Sequence, residues 1–528
     1  MEFDKQIFLI TIINKKMSDS AANNKRIAKN TVVLYVRMLF TMAVAFYTSR
    51  VILATLGVED FGISNIVGGV ALMFSFLNSS LSGATSRFLT VSLGEGNMAK
   101  MKETFSSTFT IHLILSLIIF VLCETIGVWM LETKLVIPEE RMMAARVLFQ
   151  LSIITTMAQI TQVPYTAIVI AHEKMTVYAY ISIADVVLKL VVVYLLTIIP
   201  FDKLIVYGVL YFCVRMLILM ANRLYALKAF EECNSKICTK KELLVPMLKF
   251  SGWDLFGNMS IMARTQGIDI LQNMFWGPII NAASGVSGQV LNVITGFSGN
   301  FITAVRPQII KLHAQGNFAE MQKLTERGSR LAFFLLFFIS FPCFLELPKV
   351  MDLWLEEVPD YSVAFVRLAI IFNLTVIMFF PLSAVIHATG RMKRISLING
   401  TLYLVVLPIT YIAYKLTSVS PMLPYAVNAV LGLAGGLCNL HTVKLYVPEF
   451  NAKQYMVHAP LRGLLTALIA SVIPTFLYMN LEDNWASFFI VCLSCVVSSA
   501  LTILYIGLNK HERVTVINGV LTKLHIKK

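Results

Sequence analysis

Long apolar stretches recur along the whole chain, separated by shorter segments that carry most of the charged residues. Each stretch is about 20 residues long, which is the length that a helix needs to cross ~30 Å of hydrocarbon. Backbone groups in lipid must find hydrogen-bond partners within their own segment, so these stretches are predicted to be helices. The pattern predicts fourteen transmembrane helices, at residues 30–56, 61–86, 106–131, 145–171, 177–199, 204–228, 250–276, 280–305, 330–353, 362–388, 395–416, 422–446, 461–480 and 485–508.

Composition agrees with this all-α, polytopic membrane class. The 528 residues are 57% hydrophobic and only 14% charged, whereas about 25% of the residues of a soluble domain are charged. A net charge of +14 would suggest nucleic acid as the partner of a soluble protein. Here the cations lie in short loops, where they orient helices in a membrane, so no nucleic-acid partner is predicted.

The distribution of Lys and Arg predicts the orientation of the chain. With the N-terminus inside, the inward segments hold most of the 44 Lys and Arg. The positive-inside rule therefore favours cytoplasmic N- and C-termini. The outward loops hold few cations, namely Lys134, Arg141, Lys203, Lys349 and Lys415.

The chain also repeats itself at a shift of about 220 residues. Gly57 aligns with Gly277 and Gly68 with Gly288, and Pro164 aligns with Pro381 at a shift of 217. Six helices per repeat make the two halves parallel, related by an axis along the membrane normal. The predicted organisation is a cytoplasmic leader at 1–29, an N-lobe at 30–229, an inter-lobe loop at 230–249, a C-lobe at 250–446, an additional peripheral helix pair at 447–508 and a basic cytoplasmic tail at 509–528.

Two smaller features concern the N-terminus and the cysteines. Residues 7–13 are apolar but too short to span a membrane, and Met17 opens a more ordinary polar leader, so translation could start at Met1 or at Met17. The eight cysteines form no metal-site spacing and are interpreted as unpaired thiols. Neither a metal nor another cofactor is predicted.

Charged residues inside the apolar stretches are the candidates for function. A charge at the bilayer centre costs ~2.5–3.5 kcal/mol and usually faces a cavity or a partner. We predict a cationic cavity between the lobes that binds an anionic cargo such as a pyrophosphate, because arginine can hold phosphate oxygens through two parallel hydrogen bonds. The candidate substrate-binding cations are Arg37, Lys189, Arg215 and Arg264, and the candidate acidic partners are Asp185, Asp254 and Asp269.

A structural interpretation of the same residues stays open. Asp185 and Lys189 are four residues apart on one helix face and could form an internal ion pair. Arg50, near a helix end, could extend to the membrane interface. The Gly-, Ser- and Asn-rich second and eighth predicted helices could serve as a flexible gate or simply pack closely through small residues.

Three segments near the N-terminus carry a family resemblance: Asn24-Lys-Arg-Ile-Ala-Lys-Asn-Thr31, Leu34-Tyr-Val-Arg-Met38 and Leu56-Gly-Val-Glu-Asp-Phe-Gly-Ile63. The chain resembles the polysaccharide-transport branch of the MOP flippase superfamily, in particular bacterial O-antigen and capsule repeat-unit flippases. The resemblance covers residues 24–510. It implies transfer of an undecaprenyl-diphosphate-linked oligosaccharide across the bacterial inner membrane by alternating access, with membrane lipid and glycan polymerase or assembly proteins as partners. Protons and sodium ions both remain open as coupling ions, and O-antigen and capsule units both remain open as cargo.

Three rival functions differ in sequence features. A drug or metabolite antiporter of the same superfamily usually has twelve helices and an acidic cavity when it exports cations. A peptidoglycan-precursor flippase would share the cationic cavity and the fourteen helices. A glycan polymerase or glycosyltransferase needs catalytic groups in a sizeable external loop, and the predicted external loops here, such as 57–60 and 354–361, are short. The sequence therefore favours a transporter over an enzyme.

Overall fold

The computed structural model describes residues 40–73, 97–172, 174–233, 241–417, 419–510 and 512–514, together with residues 85, 88, 89, 92, 93 and 518. This part of the chain is almost entirely helical and contains no strand. Eleven helices within it are long and apolar enough to cross a membrane. The all-α, polytopic class predicted from the sequence is thus confirmed.

The helices of the described residues are α1 Phe40–Met73, α2 Met98–Thr133, α3 Met142–Ala171, α4 Met175–Ile198, α5 Lys203–Ala229, α6 Lys241–Trp276, α7 Pro278–Ala314, α8 Phe318–Leu345, α9 Leu347–Trp354, α10 Ser362–Ile377, α11 Phe380–Ala388, α12 Lys393–Leu416, α13 Leu423–Tyr446, α14 Ala452–Asn480 and α15 Trp485–Gly507. Each predicted helix overlaps at least one of them, and α1 overlaps parts of the first two predicted helices.

The predicted loop at 57–60 is instead a sharp turn within α1. Gly57 has a φ of 79°, and its partner at the 220-residue shift, Gly277, has a φ of 75° between α6 and α7. A Cβ at Gly57 would meet no atom within 4 Å. Glycine is therefore favoured at this turn by backbone conformation, because side chains disfavour left-handed φ values.

Several predicted helix ends were wrong in the same direction. Helix α6 begins at Lys241 rather than 250, and α8 begins at Phe318 rather than 330. Asn317 caps α8 by accepting a hydrogen bond from the backbone N–H of Glu320. Hydropathy detects only the apolar part of a helix, so it misses a charged first part that continues the same backbone hydrogen bonding.

Two predicted helices are broken near their ends. The predicted helix 330–353 ends at Leu345, and the short helix α9 follows it. The predicted helix 362–388 is interrupted between α10 and α11, next to Pro381 at the start of α11. Proline lacks a backbone N–H and commonly lies in the first turn of a helix, so its position accounts for the break.

Neighbouring helices pack into two groups. Helix α3 packs against α2 and α5, and α4 packs against α5. Helix α12 packs against α6 and α13, while α7 packs against α8, α10 and α11. Buried apolar side chains of α1, α2 and α3 form one core, and those of α7, α8, α11, α13, α14 and α15 form another.

The cysteines that the structure describes all carry free thiols. Cys233, just after α5, is buried, and this burial raises the pKa of its thiol to about 12. A thiol with so high a pKa is unreactive near neutral pH. Cys238 lies outside the described residues.

The last helix pair, α14 and α15, is fastened to α8 by a buried ion pair. Arg330 donates from one terminal nitrogen to both carboxylate oxygens of Glu512, at 2.8 and 2.7 Å, and from the other to the carbonyl of His458 at 2.9 Å. The side chains of Arg330 and Glu512 are 3% and 9% exposed. The segment just after α15, at the start of the predicted tail, therefore has an ionic attachment to α8, and α14 is joined to α8 by the hydrogen bond to His458.

Replacing Glu512 by alanine should destabilise the protein, because it leaves the buried Arg330 guanidinium without its counter-charge. Breaking a buried ion pair from one side costs about 3–5 kcal/mol. Thermal unfolding of the purified protein in detergent measures the effect. Arg327, half-exposed and 3.3 Å from the same carboxylate, provides the control: Arg327→Ala should change little, and equal losses for both variants would contradict the assignment.

Candidate functional site

Three adjoining cavities lie among α1, α3–α7, α10 and α13. The first, of about 650 Å³, is lined by α1, α4, α5 and α7. The second, of about 380 Å³, lies among α1, α3, α5, α6 and α7. The third, also about 380 Å³, lies among α1, α6, α7, α10 and α13. Gln289 lines all three, so the cavities lie next to one another, and we call them together the polar region.

Three predicted residues form a charged cluster at the first and second cavities. Lys189 donates to Asp185 at 2.7 Å, and the Arg215 guanidinium lies 3.7 Å from the other oxygen of the same carboxylate. Arg215 also donates to the hydroxyl of Tyr211 at 2.8 and 3.2 Å. Two cations share one carboxylate here, so the cluster has a net charge of +1.

Arg264 lies at the third cavity without an ionic partner. Its guanidinium is 4.4 Å from the ring centre of Tyr403 and 5.2 Å from that of Phe372. Within the described part of the chain, no carboxylate lies within ion-pair distance of it. Aromatic faces attract a guanidinium electrostatically but do not cancel its charge, so Arg264 keeps a full positive charge for a ligand.

Some polar residues of α6 line the cavities, and others bind neighbouring segments of the protein. Gln266 and Asp269 line the cavities. Gln272 and Asn273 are fully buried and bind neighbouring segments: Gln272 donates to the carbonyl of Pro421 at 2.9 Å, and Asn273 accepts from the backbone N–H of Val136 at 2.7 Å. Only part of the polarity of this helix therefore serves the cavities.

Two predicted site residues lie wholly or partly outside the described part of the chain. Arg37 lies outside the described residues. Asp254 belongs to α6, but its side chain is also outside them. Their roles remain predictions from the sequence.

The glycines of the second and eighth predicted helices serve different purposes. A Cβ at Gly69 would collide with the side chain of Gln266, and one at Gly285 would crowd Asn65, so these two allow close packing. Gly68 and Gly288, aligned by the repeat, have no atom within 4 Å of an added Cβ and line the second and third cavities. These two leave space in the cavities.

The two helix groups are in contact at the end of the bundle that carries Gly57, which we call the Gly57 end. Trp354 donates from its indole nitrogen to the carbonyl of Phe46 at 2.8 Å, and their ring centres are 4.6 Å apart. Arg50 donates to the carbonyl of Leu353 at 3.4 Å and lies 3.9 Å from Glu356. The position of Arg50 near a helix end suggested that it extends to the membrane interface. In the structure it contacts Leu353 at the end of α9 and Glu356 just after it.

Backbone contact adds to the closure of the Gly57 end. A Cβ at Gly62 would collide with the carbonyl of Pro278, so α1 and the start of α7 approach each other through glycine. Nearby, Asn65 donates to the carbonyl of Asn281 at 3.1 Å. Buried Leu53 and Phe61 pack against apolar residues of α7 and α9. The two helix groups are therefore in close contact at this end.

Sequence reasoning did not single out several cavity residues. Tyr207 and Tyr211 line the first two cavities, and Asn292, Asn373 and Asn428 line the third. The signal that could have found the three asparagines is an amide inside an apolar helix, since an unpaired amide is costly in lipid. The part of the chain that the structure describes has no group of three or more His, Cys, Asp or Glu arranged to hold a metal ion.

No protein-family model and no curated protein matches the chain. Among solved structures, it is similar to the lipid II flippase MurJ in an inward closed conformation, at 14% identity and a TM-score of 0.64 over 89% of this chain and 98% of that one. An inward-facing multidrug resistance MATE family transporter of the MOP superfamily gives 14% identity and a TM-score of 0.61 over 80% and 100% of the two chains. The outward-facing conformation of such a transporter gives 14% identity and 0.52 over 79% and 96%.

The chain has the fold of the MOP superfamily transporters. At this level of identity the likeness concerns architecture, since one fold can carry different functions. In the MOP fold of this chain, the cavities that contain Lys189, Arg215 and Arg264 lie between its two groups of helices.

The Asp185–Lys189 pair offers a test of structural against ligand-binding roles. If the pair is structural, replacing both residues by alanine should impair transport less than Asp185→Ala alone, because Asp185→Ala leaves two cations without a carboxylate and the double variant leaves one. Asp185→Ala should be the worse single variant, since it leaves both Lys189 and Arg215 uncompensated. A double variant as impaired as the worse single one would remove the structural interpretation.

Proposed function

We propose that this protein moves an undecaprenyl-diphosphate-linked oligosaccharide repeat unit from the inner to the outer leaflet of a bacterial inner membrane. The observation that carries the proposal is Arg264, a cation of α6 within the predicted transmembrane segment 250–276, which lines a cavity and has no ionic partner among the described residues. A charge in this position is costly and is retained where it serves a ligand. A diphosphate supplies the matching negative charge and accepts two parallel hydrogen bonds from one guanidinium.

The charged cluster of the adjoining cavity supports the same cargo. Arg215 and Lys189 exceed the single carboxylate of Asp185 by one positive charge. With Arg264, the polar region contains three cations against the two carboxylates of Asp185 and Asp269, which leaves a net formal charge of +1 for a ligand that spans it. Tyr211, next to both cations of the cluster, holds Arg215 in place through its hydroxyl and its ring face.

The closed Gly57 end supports transport by alternating access. We place this end at the outer face of the membrane, because its loops hold few cations. The N- and C-termini would then be cytoplasmic, and the cavities would receive cargo from the cytoplasmic side. Rocking of an N-lobe formed by the helices up to α5 against a C-lobe formed by α6–α13 would separate the contacts of the Gly57 end and release the cargo outward.

A deletion strain tests the proposal directly. Its lipid-linked intermediates are extracted and analysed by mass, and its surface glycan is labelled. Accumulated undecaprenyl-linked repeat units together with loss of the surface polymer are expected, and the mass identifies the sugar. Normal glycan without an accumulated intermediate, in a strain shown to lack a second flippase, would contradict the proposal.

The alternative is a drug or metabolite antiporter, and one observation favours it. Two carboxylates, Asp185 and Asp269, line the same cavities as the cations, and Asp269 has no cation within ion-pair distance among the described residues. Carboxylates of this kind can bind cationic compounds or coupling ions. Normal glycan in the deletion strain together with a new drug sensitivity would favour this alternative.

A further inference from the structure

The polar lining of the third cavity consists mainly of neutral side chains. Beside Arg264 and Asp269, its polar groups are neutral amides and hydroxyls. They come from α1, α6, α7, α10 and α13, and they are Asn65, Thr265, Ser284, Ser287, Gln289, Asn292, Asn373, Tyr425 and Asn428. Neutral groups that can both donate and accept hydrogen bonds suit an uncharged polar ligand better than they suit a phosphate.

Two of these groups are buried without a hydrogen-bond partner. The Ser287 hydroxyl oxygen and the Asn428 carbonyl oxygen have none among the described residues, and Ser287 is only 1% exposed. Buried polar atoms are nearly always hydrogen-bonded, so an exception calls for an explanation. Both residues line the cavity, where a ligand hydroxyl can supply the missing hydrogen bond.

Aromatic side chains frame the same cavity. The Tyr425 ring stacks on that of Phe365, with ring centres 4.6 Å apart, and the Tyr425 hydroxyl lies 3.2 Å from that of Ser284. Phe372 lines the cavity and lies under the Arg264 guanidinium. Aromatic side chains with fixed positions offer an apolar surface to the C–H face of a sugar ring. The amides offer hydrogen bonds to the hydroxyls of that sugar.

We infer that the third cavity binds the sugar nearest the diphosphate of the cargo, and that Ser287 and Asn428 determine which sugar is accepted. The inference rests on the proposed function, and it assigns different parts of the cargo to Arg264 and to the neutral residues of the cavity. Arg264 holds the diphosphate at the edge of the cavity, while the neutral residues bind sugar hydroxyls. A site built to hydrogen-bond a hydroxyl rejects ligands that lack it, because its own buried groups then remain unpaired.

The test compares two probes on the full-length protein in lipid nanodiscs. One is undecaprenyl diphosphate, and the other is the glycan-bearing lipid that accumulates in the deletion strain. Asn428→Leu should weaken binding of the glycan-bearing lipid by about three- to tenfold, as expected for the loss of one hydrogen bond. Binding of undecaprenyl diphosphate should not change, and neither should the thermal unfolding temperature, because leucine replaces an unpaired group with an apolar one of similar size.

Further variants keep the outcome unambiguous. Ser287→Ala should give the same sugar-dependent loss and is the second variant if Asn428→Leu does not fold. Asn480→Leu, at the end of α14 and outside the cavities, is the matched control and should bind both lipids like the wild type. An equal loss for both lipids in Asn428→Leu and Ser287→Ala, or no loss, would overturn the inference. Failure of either lipid to bind the wild type would instead overturn the proposed function, and the inference with it.

Discussion

Replacing Arg264 by alanine should abolish export of the glycan while leaving the amount of protein in the membrane unchanged. Arg264 has no carboxylate partner among the described residues, so its removal breaks no ion pair that holds helices together. Loss of a buried charge that binds a charged group costs about 2–5 kcal/mol of binding. Surface glycan in the complemented deletion strain, compared with the protein level in isolated membranes, measures the effect.

Two matched variants define what Arg264 contributes. Arg264→Lys keeps the positive charge but loses the planar guanidinium, so partial export is expected. Arg146→Ala removes an exposed arginine that pairs with Glu132 at 2.7 Å, outside the three cavities, and should export normally. Normal surface glycan in the Arg264→Ala strain would remove Arg264 from the binding site.

The helical fold could be predicted from hydropathy, because a long apolar stretch in lipid can satisfy its backbone hydrogen bonds only as a helix. Even so, the predicted helices stop where the apolar residues stop, and α8 continues through charged residues to Phe318. The turn at Gly57 was placed correctly by its glycine, although the chain is helical on both sides of it. Local sequence thus predicts where a helix crosses the membrane better than it predicts where the helix begins.

The candidate site could be predicted only in part. The spacing of Asp185 and Lys189 already suggested their pairing, since both lie on one face of one helix. The third member, Arg215, comes from the next helix, and the aromatic partners of Arg264 come from α10 and α12. Contacts between distant segments depend on helix packing, and one sequence carries no signal for them.

The buried ion pair of Arg330 and Glu512 illustrates the same limit. The two residues are 182 positions apart, and each was assigned to a region near the predicted cytoplasmic surface. Only the packing of α14 and α15 on α8 brings them together. A charge that hydropathy attributes to a solvated loop can therefore be a buried structural group.

The contacts at the Gly57 end must separate if the cargo leaves there. Trp354 and Phe46 are well placed to report this step, because they belong to different helix groups and their ring centres are 4.6 Å apart. The hydrogen bond from Trp354 is made to a backbone carbonyl, so replacing the Phe46 side chain does not remove the acceptor. A covalent link between these two positions would hold the end closed; Phe46 lines the first cavity, so the unlinked single variants report the effect of the substitution itself.

Cross-linking cysteines at positions 46 and 354 should stop transport completely. The double variant Phe46→Cys with Trp354→Cys, in a background without the native cysteines, is treated with a short bifunctional thiol reagent that contains a reducible disulfide. Transport of the glycan-bearing lipid into the outer leaflet of proteoliposomes should fall to background and return on reduction, because closure of one end blocks alternating access. Each single-cysteine variant, treated in the same way, should stay active. Undiminished transport by the cross-linked protein would mean that the cargo leaves without opening the Gly57 end, and the proposed rocking of the two lobes would then be wrong.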